Sequence, residues 1–128
     1  MGLGYNFNTL EFATETNGPE WPNPPWSTYL LRRLLENLNY RNRFINIFSD
    51  RLNTIFQPSF ISNRLDSLVS RIAPIIPIHQ ERWPGSAANW DYHIQIVETF
   101  AENRQSYMRQ FIRDYFNLPA VRLSLIHI

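Results

Sequence analysis

The side chains in this sequence with the most chemical potential are three histidines, His79, His93 and His127, and three carboxylates, Glu98, Glu102 and Asp114. A metal-binding helix needs two histidines one turn apart beside a carboxylate. No histidine here has an i+4 histidine, and His93 and Glu98 fall at the wrong spacing, so a catalytic zinc helix is not expected. His79 precedes Arg82 and Trp83 closely and reads as a satisfied, partly buried side chain rather than a base or ligand. The three carboxylates would suit glycoside cleavage if they shared a pocket. Arg104, Arg109 and Arg113 stand at helical distances from them, so a solvated ion-pair face is the expected reading. Trp21, Trp26, Trp83 and Trp90 suggest a platform for sugar faces, but aromatic side chains of this size more commonly anchor cores and loops. Gly2-x-Gly4 resembles a piece of a phosphate-cradling loop, a weak signal without a preceding strand and a following helix.

Composition removes several chemistries. All 12 basic residues are arginine, so no lysine is present for a Schiff base, a Walker-type phosphate contact or a kinase nucleotide site. There is no cysteine, hence no thiol nucleophile, zinc-thiolate site or disulfide framework. A formal charge of +1 gives no long-range field to select nucleic acid, which is not an expected partner. The 128 residues suit one domain, and 44% hydrophobic residues with four Trp, six Tyr and nine Phe supply the apolar surface to fold it. No run approaches the roughly 20 apolar residues that span a bilayer, and the N-terminus has no basic region leading into an apolar run.

The elements that must position these residues are helical. Residues 1–26 are expected to form a loop segment, since Pro19, Pro22, Pro24 and Pro25 bias the backbone away from the helical region. The alternation of Tyr5, Phe7 and Leu10 with polar residues suggests a short strand inside that segment. From residue 27 to 118 the spacing predicts a helical domain. Ser27 or Thr28 is placed to cap a first helix with Leu30, Leu31, Leu34, Leu35 and Leu38 on one face, ending near Asn37. Phe44, Phe48, Leu52 and Ile55 line a second helix. A third starts at Gln57-Pro58, carries Ile61, Leu65, Leu68, Val69 and Ile72, and is interrupted near Ala73 by Pro74 and Pro77. A short piece over 75–82 follows. Asn89 then caps a helix with Trp90, Ile94, Val97 and Ala101 inward, and a last helix with Tyr107, Met108, Phe111, Ile112, Tyr115 and Phe116 stops near Asn117-Leu118-Pro119. The fold class is mainly α: about five helices after a proline- and aromatic-rich N-terminal segment.

Several separated motifs, in order, carry a resemblance. They are Trp26-Ser27-Thr28-Tyr29-Leu30-Leu31-Arg32-Arg33-Leu34-Leu35-Glu36-Asn37, Tyr40-Arg41-Asn42-Arg43-Phe44-Ile45 and Leu52-Asn53-Thr54-Ile55-Phe56, followed by His79-Gln80-Glu81-Arg82-Trp83, Trp90, Phe100-Ala101-Glu102-Asn103-Arg104 and Arg109-Gln110-Phe111-Ile112-Arg113-Asp114-Tyr115-Phe116. Over roughly residues 1–118 the chain resembles the C-terminal helical part of the CotH family, spore-coat and surface proteins with a divergent protein-kinase-like fold. The resemblance implies ATP-dependent, Mg- or Mn-dependent transfer of phosphate to Ser or Thr of a protein substrate, and a setting in the spore coat, at the cell surface or outside the cell.

In that family a metal-binding Asp-x-Asp pair precedes a glycine-containing segment, which Met1-Gly2-Leu3-Gly4-Tyr5 resembles with both aspartates missing. By that resemblance Gly2 and Gly4 let the backbone pass close to metal and phosphate. Trp26, His79, Arg82, Trp83 and Trp90 then tie the helices to that loop, and an N-terminal lobe supplies the catalytic and nucleotide-binding groups. Alone, this chain is expected to be inactive, with no catalytic residue, metal ligand or cofactor of its own. Residues 119–128 form a tail in which Leu123-Ser124-Leu125-Ile126-His127-Ile128 resembles the in-frame translation of a transposon end used in sequencing libraries, and these six are expected to pack poorly. The alternative function is a non-catalytic helical module that binds a protein or glycan through the Trp- and Pro-rich segment 19–26.

Overall fold

The computed structural model describes residues 4–16, 24–85 and 88–119. Gly2, Trp21, the proline-rich stretch before Pro24 and the 123–128 tail lie outside the described residues. Among those described there are six α-helices and no strand: α1 (Thr9–Thr14), α2 (Pro25–Glu36), α3 (Leu38–Asn53), α4 (Pro58–Ile72), α5 (Ile76–Arg82) and α6 (Trp90–Phe116). The turn Ala73–Ile75, of 3-10 type, joins α4 to α5. The mainly α expectation holds, with five helices following the N-terminal segment, and none is long and apolar enough to cross a membrane.

The expected strand near Tyr5–Leu10 is a correction, because α1 stands there instead. Asn8 Oδ1 accepts the Glu11 backbone N–H at 3.1 Å while Asn8 Nδ2 donates to Glu11 Oε2 at 3.1 Å. That reciprocal cap satisfies an orphan donor of the first turn and starts a helix where apolar alternation alone suggests a strand.

The start of α2 also differs. Pro25 opens the helix, as proline at a first helical position can, and no side chain caps it. Ser27 Oγ donates instead to the Pro24 carbonyl at 2.8 Å, and Thr28 Oγ1 donates to the Glu15 carbonyl at 2.7 Å, joining α2 to the end of α1. Of the five-leucine face, only Leu35 is buried. Leu30 is 68% exposed and Leu38 63% exposed, because the elements packed on α2 are the small α1 and the next helix, α3, and neither covers that face.

The centre of the molecule lies between α1, α3 and α6. Ile112 is fully buried against Leu10, with Phe44, Phe48, Phe116 and Leu118 packed around them. The α3 stripe is as its spacing suggests over Phe44, Phe48 and Leu52, although Ile55 lies past the helix end and is exposed. Asn37 caps this helix through Oδ1, which accepts from the Asn39 and Tyr40 backbones. The α4 start at Pro58 and its break at Ala73 stand where the prolines put them, and neither α4 nor α5 has a fully buried residue. Asn89 occupies the cap position of α6 without a side-chain cap bond.

The two helices expected after Asn89 are one helix of 27 residues. The polar run Glu102–Ser106 has no proline or glycine to break it, and Arg104 and Gln105 within it find partners on other elements. Asn117, at φ 50°, ends α6 in the left-handed conformation, and the Leu118 N–H returns to the Arg113 carbonyl at 2.9 Å.

Candidate functional site

The best-built polar cluster joins the N-terminal segment to the middle of α6. The Phe7 N–H donates to the Gly4 carbonyl at 3.0 Å, which turns the chain back before α1. This turn presents the carbonyls of Tyr5 and Phe7 to the Arg104 guanidinium, the Phe7 carbonyl also accepting the Thr9 N–H at 3.0 Å. Nη1 donates to Tyr5 O at 2.8 Å and to Phe7 O at 2.6 Å, while Nη2 donates to Thr9 Oγ1 at 2.8 Å. One planar donor fork thereby fixes three acceptors spread over five residues of backbone, a geometry for which lysine has no equivalent.

Arg104 is half-buried, and burial lowers its pKa. Its three acceptors are all neutral, and its guanidinium carbon lies 5.6 Å from the Phe100 ring centre. Tyr5 reinforces the clasp by packing on Tyr107 with ring centres 5.6 Å apart, and Tyr107 in turn contacts Phe111 at 6.1 Å. Spacing places Arg104 on an ion-pair face; the one signal for its actual role is the polar run inside an otherwise apolar-periodic helix.

That ion-pair face is not what forms. Arg109 reaches Asn53 Oδ1, Arg113 Nε is buried without a hydrogen-bond partner, and Asp114 accepts from Gln110 at 2.6 Å. The three-carboxylate arrangement does not form, because Asp114 stands far along the helix from Glu98 and Glu102. Glu98 and Asp114 are sixteen residues apart on one continuous helix, about 24 Å at 1.5 Å per residue, against the roughly 5–9.5 Å between the carboxylates of a glycosidase pair. Asp114 faces an open depression shared with Glu11 and Glu15, which Glu98 and Glu102 do not line.

The other singled-out residues are dispersed. Gly4 is exposed at the head of the turn, and a Cβ built there would come within 2.9 Å of Asn6 Oδ1, the movable end of a side chain. Trp26 stands on α2 and is 75% exposed. His79 and Arg82 are exposed on α5, Trp83 follows it with the Arg82 guanidinium 5.7 Å from its ring centre, and Trp90 opens α6 half-buried. His93 is exposed one turn further on. The side chains that hold the Gly4–Asn8 turn are Arg104 and Tyr107, which spacing places on an ion-pair face and on the apolar face of a last helix.

No group of three or more His, Asp or Glu among the described residues is placed to hold a metal ion. Among the described residues the carboxylates and histidines are too dispersed to hold the divalent metal that ATP would bring.

Fold and clasp together define an all-helical scaffold whose longest helix pins a glycine-led turn. The model of the CotH kinase protein family matches residues 2–108, and the chain belongs to the CotH family. No curated protein and no solved structure matches it.

Proposed function

We propose that this chain is the helical C-terminal portion of a CotH-type protein kinase. In that reading it positions, and does not itself supply, the groups that transfer phosphate from ATP to Ser or Thr of a protein with a divalent metal. The observation that carries the reading is the family match together with the absence of any lysine: the chain has no amine to pair with nucleotide phosphates. The Arg104 clasp gives the scaffold something specific to do, since it holds the turn that follows the Gly2-x-Gly4 segment. An N-terminal lobe with the nucleotide and metal ligands is the partner, and Trp26, His79, Arg82, Trp83 and Trp90 are proposed to tie the helices to the glycine loop.

The test measures radiolabelled phosphate transfer from ATP to a serine-rich protein by this chain and by the longest open reading frame containing it, each with Mg and with Mn. Turnover by the longer protein alone is expected. Turnover by the chain itself would relocate the catalytic residues into it, and none by either would overturn the kinase reading.

A second reading is favoured by the exposure of Trp26: a non-catalytic module that presents this ring to a protein or glycan. Quenching of Trp fluorescence by glycans, abolished in Trp26→Ala, would put that reading first.

A further inference from the structure

The outward side of α3 carries a feature that neither the clasp nor the phosphotransfer reading uses. Tyr40, Arg43, Phe44, Ile47, Phe48 and Arg51 recur about once per helical turn on one face, and with Phe56 they line an open depression of about 260 Å³. Phe44 and Phe48 make its floor, packed from below against Leu10 and Ile112, whereas Ile47 and Phe56 are half exposed. From Tyr40 to Arg51 the depression runs about 16 Å along the helix, or three turns, and the two arginines stand about 12 Å apart. Among the described residues neither guanidinium has a hydrogen-bond or ion-pair partner, in contrast to Arg33, which binds Glu36 at 3.0 Å. The carboxylate of α3 itself, Asp50, does not line the depression.

We infer that this face docks an acidic amphipathic helix from a partner protein, whose apolar residues enter between Tyr40 and Phe56 while its carboxylates meet Arg43 and Arg51. The charge argument is local: α3 carries Arg41, Arg43 and Arg51 against Asp50, on a chain whose overall charge is only +1. The shape argument favours a helix. An elongated, open trough with an aromatic floor accepts a ridge of side chains at i, i+3 or i+4, and i+7, whereas a flat lipid surface would leave the floor empty. Tyr, Phe and Arg are also the residues over-represented at protein interfaces, and two unpaired guanidiniums supply both steering and register.

The experiment uses the whole chain and two fluorescent probes: an amphipathic helix built of Leu and Glu, and its counterpart with Lys for Glu. Fluorescence anisotropy should show saturable binding of the Glu peptide, about tenfold or more tighter than the Lys peptide and weakened by salt. Arg43→Glu with Arg51→Glu should invert the preference, so that the Lys peptide binds tighter. Ile47→Ser keeps both charges and should weaken the Glu peptide, which preserves the test if the double variant does not fold. Hydrogen exchange should slow in 40–51 on binding. Equal binding of the two peptides, an unchanged preference in the double variant, or binding only to phosphatidylglycerol vesicles would overturn the inference.

Discussion

Arg104 donates to the carbonyl of Phe7 at 2.6 Å across 97 residues of sequence, and the same nitrogen donates to Tyr5 O. This contact closes the chain on itself: the turn that starts at Gly4 has its own Phe7 N–H to Gly4 O bond and is held in addition from the middle of α6. Hydrogen bonds from a charged donor contribute about 1.5–3 kcal/mol, and acceptors left dry cost a similar amount. Arg104→Ala should therefore lower stability by about 2–3 kcal/mol in urea denaturation. Arg104→Lys should recover less than half, because a single ammonium does not span the same three acceptors. Hydrogen exchange in 7–14 should accelerate in both variants, and an Arg104→Ala chain as stable as the parent would remove the clasp.

Gly4 offers the complementary test. Its carbonyl closes the turn, but its α-carbon has room except for the tip of Asn6. Gly4→Ala should leave folding within about 0.5 kcal/mol of the parent. A phosphate-transfer defect in a longer protein carrying Gly4→Ala would then report close approach of a ligand rather than misfolding, which is the separation the proposed role needs. A large loss of stability would show that the turn itself requires glycine.

Ser49 is fully buried on α3, and its hydroxyl has no hydrogen-bond partner. A dry, unpaired hydroxyl costs about 1–3 kcal/mol, and removing it leaves only a small void. Ser49→Ala is expected to stabilise the fold by about 1 kcal/mol, measured by urea denaturation. A loss of that size would reveal a partner for the hydroxyl.

The ends of α4 and α6 were the most legible boundaries in the sequence, whereas Pro25, read as part of a loop, opens α2. Pro58 opens α4, Pro74 falls at its break, and Asn117 ends α6, because proline and the left-handed cap act locally. Burial was much less legible. The leucines of α2 have helical spacing, yet spacing states only which residues share a face, and whether anything covers that face is decided by tertiary packing. The α1 helix was hidden for the opposite reason: six residues are too few for periodicity, and the readable signal was the Asn8-x-x-Glu11 cap. Arg104 was hidden because two of its three acceptors are backbone carbonyls, and the polar run around it does not say which segment supplies them.

The difference between spacing and burial is measurable. Ile112 and Leu30 both occupy apolar positions of amphipathic helices, but the first has no exposed surface and the second is 68% exposed. Ile112→Ala should cost about 2–5 kcal/mol, from lost transfer energy and the cavity left beside Leu10. Leu30→Ala should stay within about 0.5 kcal/mol, as for other exposed sites. Equal losses in the two variants would mean that α2 is covered in solution, and so would place a partner on its leucine face.

Thr28 joins α1 to α2 through one hydroxyl, which donates to the Glu15 carbonyl at 2.7 Å and accepts from Arg32 Nε at 3.1 Å. Arg32 also reaches the Pro25 carbonyl from Nη2 at 3.2 Å, so the hydroxyl orients the side chain that braces the first turn of α2. Valine has nearly the same shape and no hydroxyl. Thr28→Val should leave the Glu15 carbonyl without that donor in a nearly closed position, at a cost of about 1–3 kcal/mol. Thr28→Ser keeps the hydroxyl and should recover most of this, which separates the hydrogen bond from packing. If the two helices are joined through this group, exchange of the α1 amides should rise in the valine variant and not in the serine variant. A valine variant with parental stability and parental exchange would show that α1 is held by Leu10 and the Arg104 clasp alone.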